Sequence, residues 1–504
     1  MPELNMDRHG TCPEDPGHAG LLHNGGVYPG MTPPSPLPTH PLAGLARMPA
    51  GQPALCWPGG AVSAGALRAD IERLAATVDS LGGRGPVAVI AASRRRLVTG
   101  VLAVLATGRP ALVLDPLRAD LHDCLAQCRP DAALVDGEVD LPASLAQAPL
   151  EATGEPSARS APRTTVAGQG HTHDAPALLV PTSGTGGATR IVMLDAAALN
   201  AHVLASSQVL PAFGAADRWL ICLPMGSIGA LAALWRVYVR GGTLAVLDCG
   251  FDAVAARAMM AEGASHVSVV PAMIDALVDI EAPPPRGLRC LLSGGGPLSM
   301  TQAEQALAQG WPLWQGWGMT ETASHVAAGP VEDDWRPGIV GRPLPGVAVE
   351  ITGEDRRLRI GGPMLMAGYA TPDLRPGHGL DEDGALVTGD AGEWLADGRL
   401  RILGRADGVI VTAGVNVHPE AVEARFAECP GAGDLAITAR EDPRWGSVLV
   451  ALYTGPAEAA GLLAWSRAHL PSAWRPREFR RVSALPRNSM GKLHRHALAA
   501  LLRP

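Results

Sequence analysis

Short, mainly apolar runs separated by amphipathic helical stretches constrain the fold of this chain more than any other feature. Residues 87–91, 111–114, 132–135, 219–223, 243–247 and 267–270 are such runs, and stretches 63–81 and 251–260 carry helical periodicity. Runs this short without polar alternation read as strands buried on both faces. That environment arises in parallel sheets covered by helices, so the expected class is α/β with parallel strands. Residues 97–114 are the longest apolar stretch, but Gly108-Arg109-Pro110 breaks it into helix, turn and strand rather than a membrane span.

At 504 residues the chain is too long for one ordinary core, and two or three domains are expected. Charged residues make up 18% and the net charge is -8, which leaves no electrostatic footprint for nucleic acid or anionic lipid. The Arg94-Arg95-Arg96 run reads as a solvated helix start. Eight scattered cysteines form neither a disulfide framework nor a metal site. Cys124 and Cys128, the only close pair, read as core residues of a reduced, cytoplasmic protein.

Texture changes along the chain. The first 40 residues are polar and rich in His, Pro and Gly, with too little apolar content to fold alone, and Met31 is a second candidate start. Residues 141–175 lack periodicity and read as a long loop or linker. After Arg342, short alternating strands and turns point to a mostly β subdomain. The last hundred residues alternate helix and strand again, as a compact α+β unit.

Several segments carry chemistry. PTSGTGGATR, residues 181–190, lies between apolar runs and exposes backbone N–H groups and hydroxyls with little bulk, as a polyphosphate requires. It lacks the Gly-Lys-Ser/Thr of a Walker loop and by itself also fits a plain connection. QGWGMTETASH, residues 315–325, offers an indole face for a purine and a Thr-Glu step. One Glu suffices for Mg²⁺, which takes one or two carboxylates beside substrate phosphates; a core Trp beside a solvated Glu fits as well. VTGD, residues 387–390, and GRADGVIVTAGVNVHPEAVE, residues 404–423, place acids on turns that can accept ribose hydroxyls, or serve as ordinary turns. Finally, LPRNSMGKLHR holds Lys492, the only lysine in the chain. A solvated basic site tolerates either cation, whereas a compact charge on a flexible stem is specifically lysine.

In this order the segments resemble the adenylate-forming superfamily of acyl- and aryl-CoA synthetases, nonribosomal-peptide adenylation domains and beetle luciferases. The likeness runs from about His40 to the end. LLSGGGPLS at 291–299 and WGMTETASH are similar in texture to the small o-succinylbenzoate and benzoate-type CoA ligases. With composition making 1–39 a disordered leader, the resemblance implies a large N-terminal AMP-binding domain of layered α/β and β-rich subdomains over 40–403, and a small mobile α+β domain over 404–504.

It also implies a two-step activity: ATP and a carboxylate give an acyl-adenylate and pyrophosphate, then a thiol, most simply CoA, takes the acyl group. Thr182, Ser183, Gly184, Thr185 and Arg190 would contact phosphates. Trp317, where the family has Tyr, would stack on adenine. Thr320 would touch the α-phosphate and Glu321 would hold Mg²⁺. Asp390 and Arg405 would bind the ribose. Asp407 would be the hinge, Lys492 the catalytic charge for adenylation, and Gly414 part of the thiol tunnel. Gly226, Ser227, Gly294 and Gly295 would line the acyl pocket.

The sequence departs from the family at Gly186, Thr189 and Arg190, which replace Thr, Pro and Lys of the phosphate loop. It departs again at Gly226 and Ser227, which replace an aromatic and a His, and at Val411, which replaces a Lys. The segments 223–235 and 293–298 contain no acid to pair with an amino-acid ammonium, so the expected substrate is a small aryl or modest acyl carboxylate in an apolar slot. Two other readings stay open: an acyl-carrier protein's phosphopantetheine as acceptor, and a catalytically silent relative that binds nucleotide or acyl group.

Overall fold

The computed structural model describes residues 38–150, 176–182, 189–248, 250–406, 408–412, 415–442, 446–487 and 493–502. Ser183, Gly184, Thr185, Asp407, Gly414 and Lys492 therefore lie outside the described residues, as does nearly all of the leader.

The apolar runs fold as expected. Val87–Ile90, Ala111–Leu114 and Ala132–Val135 are parallel strands of a seven-stranded sheet, with every side chain buried. Arg218–Ile221, Thr243–Val246 and His266–Val269 belong to a nine-stranded sheet, parallel through its centre. Helix Ala64–Ser80 begins at Ser63, whose side chain accepts from Ala66 N, so a hydroxyl caps one otherwise orphaned donor. The β-rich expectation after Arg342 becomes a four-stranded antiparallel sheet that includes Leu386–Trp394 and Leu400–Arg405. Beyond it, Leu435–Asp442 and Gly446–Tyr453 form the spine of a smaller sheet, against which Pro419–Phe426 packs.

Two expectations need correction. Within the expected loop 141–175, Ala146–Pro149 forms an edge strand parallel to Ala132–Val135, and its alternating exposure is that of a strand with one face more covered than the other. Residues 151–175 lie outside the description. The arginine run starts a helix as expected but is only partly solvated. Arg94 is buried, Arg95 Nε donates to Asp248 Oδ2 at 2.7 Å, and Arg96 pairs with Asp136. The helix Arg94–Ala106 begins at the edge between the two large sheets, where those acids wait. Cys124 and Cys128 are buried and free, as expected of core residues. Among the described residues no helix is long and apolar enough to cross a membrane, and no cluster of acids, histidines and cysteines suits a metal ion.

The candidate segments follow the carboxyl ends of sheet strands, where open α/β sheets bind ligands. Thr182 ends Pro176–Thr182, Gly294 follows Cys290–Ser293, and Thr320 follows Leu313–Met319.

Candidate adenylate site

Pro176–Thr182 and Arg190–Asp195 are antiparallel partners, with Thr182 opposite Arg190. Thr182 Oγ1 donates to Arg190 O at 3.3 Å. Thr189 donates its hydroxyl to Asp120 Oδ2, and Asp120 also accepts from Arg118 Nε at 2.7 Å and Nη2 at 2.8 Å. Burial pushes the Asp120 carboxyl up, but the hydrogen bonds from Arg118 and Thr189 outweigh it and hold the group below its ordinary range. Where the family uses a rigid Pro, this chain ties the loop exit to a charged acceptor.

Leu313–Met319 delivers Trp317, and a 3-10 turn, Thr320–Thr322, delivers Thr320 and Glu321. The chain then reverses into Ser324–Pro330, antiparallel to the strand it left. Reversal requires Ala323 at φ 52° and Ser324 at φ 129°, conformations rare for residues with a Cβ. Thr322 stabilises the turn: its hydroxyl accepts from Met319 N at 3.0 Å and donates to Ser324 O at 2.6 Å. Gly318 is obligatory here, since a Cβ would lie 2.0 Å from Ser324 O.

Trp317, Asp390 and Arg405 come together from three strands. Asp390 and Arg405 are register partners on Leu386–Trp394 and Leu400–Arg405. Trp317 Nε1 donates to Asp390 Oδ2 at 2.8 Å, and Arg405 Nη1 donates to Asp390 Oδ1 at 3.2 Å. Thr388 fixes the acid's backbone by accepting from Asp390 N at 3.1 Å. Gly389 lets the guanidinium lie over the turn, because a Cβ there would sit 2.1 Å from Arg405 Nη2. Each carboxylate oxygen keeps a lone pair for a further donor.

Glu321 is buried, and its Oε1 accepts from the Tyr369 hydroxyl at 2.7 Å. Tyr369 is a residue that the sequence reading missed. Arg190 stacks over its ring, with Cζ 4.4 Å from the centroid. Arg190 thus sits near Glu321 through an aromatic intermediary. No other described residue bonds the Glu321 carboxylate, so it can take a hard cation, and a single acid fits Mg²⁺ shared with phosphates.

The expected pocket glycines point to different walls: a Cβ on Gly226 would meet only Val113 O at 3.8 Å, and one on Gly294 only Gly316 O at 3.6 Å. Ser227 caps the helix Ile228–Val239, donating to Pro224 O at 2.7 Å and accepting from Ala230 N at 3.4 Å. Gly295 adopts φ 76°. Behind the glycine strand lies a polar cluster that the sequence reading did not find. His325 Cβ is 3.4 Å from where a Gly316 Cβ would be, and the His325 and His202 rings meet edge to face with centroids 4.7 Å apart. Both are buried, and neither His202 nitrogen nor His325 Nε2 has a partner among the described residues. Burial, then Arg236, pushes His325 down to about 3; burial, then His325, pushes His202 well below its ordinary value. Arg236 is buried too, donates to Ser206 Oγ at 2.8 Å and lies over Trp219; no described acid pairs with it. Burial lowers its pKa to about 10. An arginine inside the apolar helix AALWRVYV was the visible signal.

The description "AMP-binding enzyme" attaches to a family whose sequence profile matches residues 43–370, and its C-terminal-domain profile matches 421–492. The chain belongs to this family. It is 33% identical over 341 residues to the 2-succinylbenzoate–CoA ligase of Bacillus licheniformis, covering 65% of this chain and 70% of that one. The same-named enzyme of Bacillus pumilus is 32% identical over 294 residues, 56% of this chain and 60% of that one. The fold matches the o-succinylbenzoate–CoA synthetase of Bacillus subtilis in complex with ATP and magnesium ion: TM-score 0.82, 24% identity, 91% of this chain and 99% of that one. The expected family, fold class and enzyme class, an AMP-forming acid–thiol ligase, are borne out by these relatives.

Proposed function

We propose that this AMP-binding enzyme activates a small aryl carboxylic acid carrying a second anionic group, of the class to which 2-succinylbenzoate belongs, and passes it to CoA. One observation supports the adenylation half: Trp317, Asp390 and Arg405 join through hydrogen bonds, while Tyr369 links the nearby Glu321 to Arg190, and in this reading the groups hold adenosine, metal and polyphosphate in turn. Support for the acid comes from the wall behind Gly316, which presents Arg236 and two histidines and no acid among the described residues. A buried cation without a counter-charge is costly, and a substrate anion would offset it.

In this reading Trp317 stacks on adenine, its plane preset by the Asp390 hydrogen bond. Asp390 accepts from the ribose hydroxyls and Arg405 holds the acid in place. Thr182, Ser183, Gly184, Thr185 and Arg190 surround the β- and γ-phosphates, and Thr320 meets the α-phosphate. When bound at Glu321, Mg²⁺ would neutralise phosphate charge. The substrate carboxylate attacks the α-phosphorus and the bond to pyrophosphate breaks. Lys492 then stabilises the charge that develops, a contribution of about 3–4 kcal/mol for one such donor. Next, a thiol sulfur attacks the acyl carbon, AMP leaves and the thiol proton is released. Residues 404–504 turn about Asp407 between the steps, replacing Lys492 with the Gly414 loop, which lines the thiol's approach beside an acyl pocket at Gly226, Ser227, Gly294 and Gly295. The enzyme acts in the cytoplasm.

The test is a pyrophosphate-release screen with Mg²⁺-ATP over aryl, dicarboxylic, fatty and amino acids, followed by product analysis with CoA and with a phosphopantetheinylated carrier protein. Aryl dicarboxylates and CoA are the expected winners. Turnover driven by amino acids would overturn the acid, and transfer to carrier protein alone would overturn CoA. No turnover with any acid would leave a silent nucleotide-binding relative.

A further inference from the structure

The segment 366–370 touches both the phosphate hairpin and the Glu321 turn. Ala367 N donates to Met193 O at 2.9 Å and Ala370 N donates to Ile191 O at 2.7 Å, while Gly368–Tyr369 pairs antiparallel with the strand that leaves the loop. On its other side Met366 N donates to Glu321 O at 2.8 Å, and the Tyr369 hydroxyl donates to Glu321 Oε1 at 2.7 Å. One short segment therefore holds Glu321 by backbone and side chain, and is itself held by the strand beginning at Arg190.

Packing alone does not account for a tyrosine there. Phenylalanine would fill the same space against His378 and Gly379 without placing a hydroxyl beside a buried carboxylate. In this contact the Tyr369 hydroxyl is the donor and the carboxylate the acceptor. Its bond takes one lone pair of Oε1 and leaves Oε2, without a partner among the described residues, as the freer oxygen. The Arg190 guanidinium carbon lies over the ring, a cation–π contact that a lysine's point charge on a flexible stem would not reproduce as well.

We infer that Tyr369 is a positioning residue that presents Glu321 to the cation through a single oxygen, and that Arg190 clamps Tyr369 so that the phosphate hairpin and the metal carboxylate move as one. This rests on the proposed reading of Glu321 as the magnesium carboxylate. Partners that orient a metal's ligand typically set about 10–100-fold in its affinity.

The experiment is Mn²⁺ titration of the full-length enzyme with ATP and no acid, followed by electron paramagnetic resonance, so that no turnover is needed. Metal-free ATP binding is measured in parallel. Tyr369→Phe should weaken Mn²⁺ about tenfold and leave metal-free ATP binding unchanged. Arg190→Lys should weaken Mn²⁺ in the same direction by less. Mn²⁺ affinity within twofold of the parent enzyme in both variants overturns the inference, as does an equal loss of metal-free ATP binding, which would mark a merely structural role. Glu321→Gln separates the two readings: if it binds Mn²⁺ like the parent enzyme, the assignment of Glu321 itself is wrong.

Discussion

Trp317→Phe removes one defined contact, the hydrogen bond from Nε1 to Asp390 Oδ2 at 2.8 Å, and keeps an aromatic face at the site. Asp390 then depends on Arg405 Nη1 alone at 3.2 Å, with Thr388 still fixing its backbone. A hydrogen bond to a charged group contributes about 1.5–3 kcal/mol, and the lower end applies because Asp390 is only partly buried. About 1.5 kcal/mol is roughly a tenfold weaker grip on the nucleotide. Competition against a fluorescent ATP analogue reads this directly, with a melting curve as the folding control. Asp390→Asn and the double variant complete a cycle, and coupling of about 1 kcal/mol or more is expected between groups in contact. If Trp317→Phe binds ATP as the parent enzyme does and the cycle closes without coupling, the indole is core packing and the cradle is misread.

Lys492→Ala should collapse acyl-adenylate formation while thioester formation from preformed adenylate largely survives; equal loss of both steps would refute the division of labour. Thr189→Val cuts the tether to Asp120 and should raise the KM for ATP several-fold, with little change in the acid's KM, measured by ATP–pyrophosphate exchange. His325 is buried and neutral, with its folded pKa depressed to about 3. Between that value and about 6.5 the unfolded chain binds the extra proton, so stability falls as pH drops through this window. At pH 5 the loss is about 2 kcal/mol from this residue, and His325→Gln should flatten the acid side of a plot of Tm against pH.

Most of the parallel sheets and the order of the site segments were legible because both rest on local signals. The run at residues 111–114 is apolar throughout and became a buried strand of the same bounds. Trp317, Asp390 and Arg405 lie far apart in sequence, and only the motif order linked them before the strands brought them together. Illegible features depend on who meets whom. Residues 146–149 have no strand signature of their own and pair because Ala132–Val135 offers an edge. Tyr369 stands in a two-residue strand with no periodicity, and its meaning comes from a carboxylate 48 residues earlier. Asp120 likewise gains its part from Thr189, 69 residues later.

The arginine bias of the chain takes on a physical meaning at two positions. At position 190, where the family has lysine, arginine lies over the Tyr369 ring, a contact that favours a planar, weakly hydrated cation. In the proposed reading, position 492 must deliver a compact charge during one half-reaction and withdraw it for the next. A rigid five-donor fork would bind phosphate oxygens bidentately and leave them slowly. The flanks of that segment are fastened within the C-terminal unit: Arg487 Nη2 donates to Asp434 Oδ1 at 2.7 Å, and Arg495 pairs with Glu420 at 2.9 Å and Glu423 at 2.7 Å. Lys492→Arg is therefore the sharper companion to the alanine variant: charge is retained, and adenylation should still fall well below the parent rate. Full activity in Lys492→Arg would reduce the lone lysine to an accident of composition.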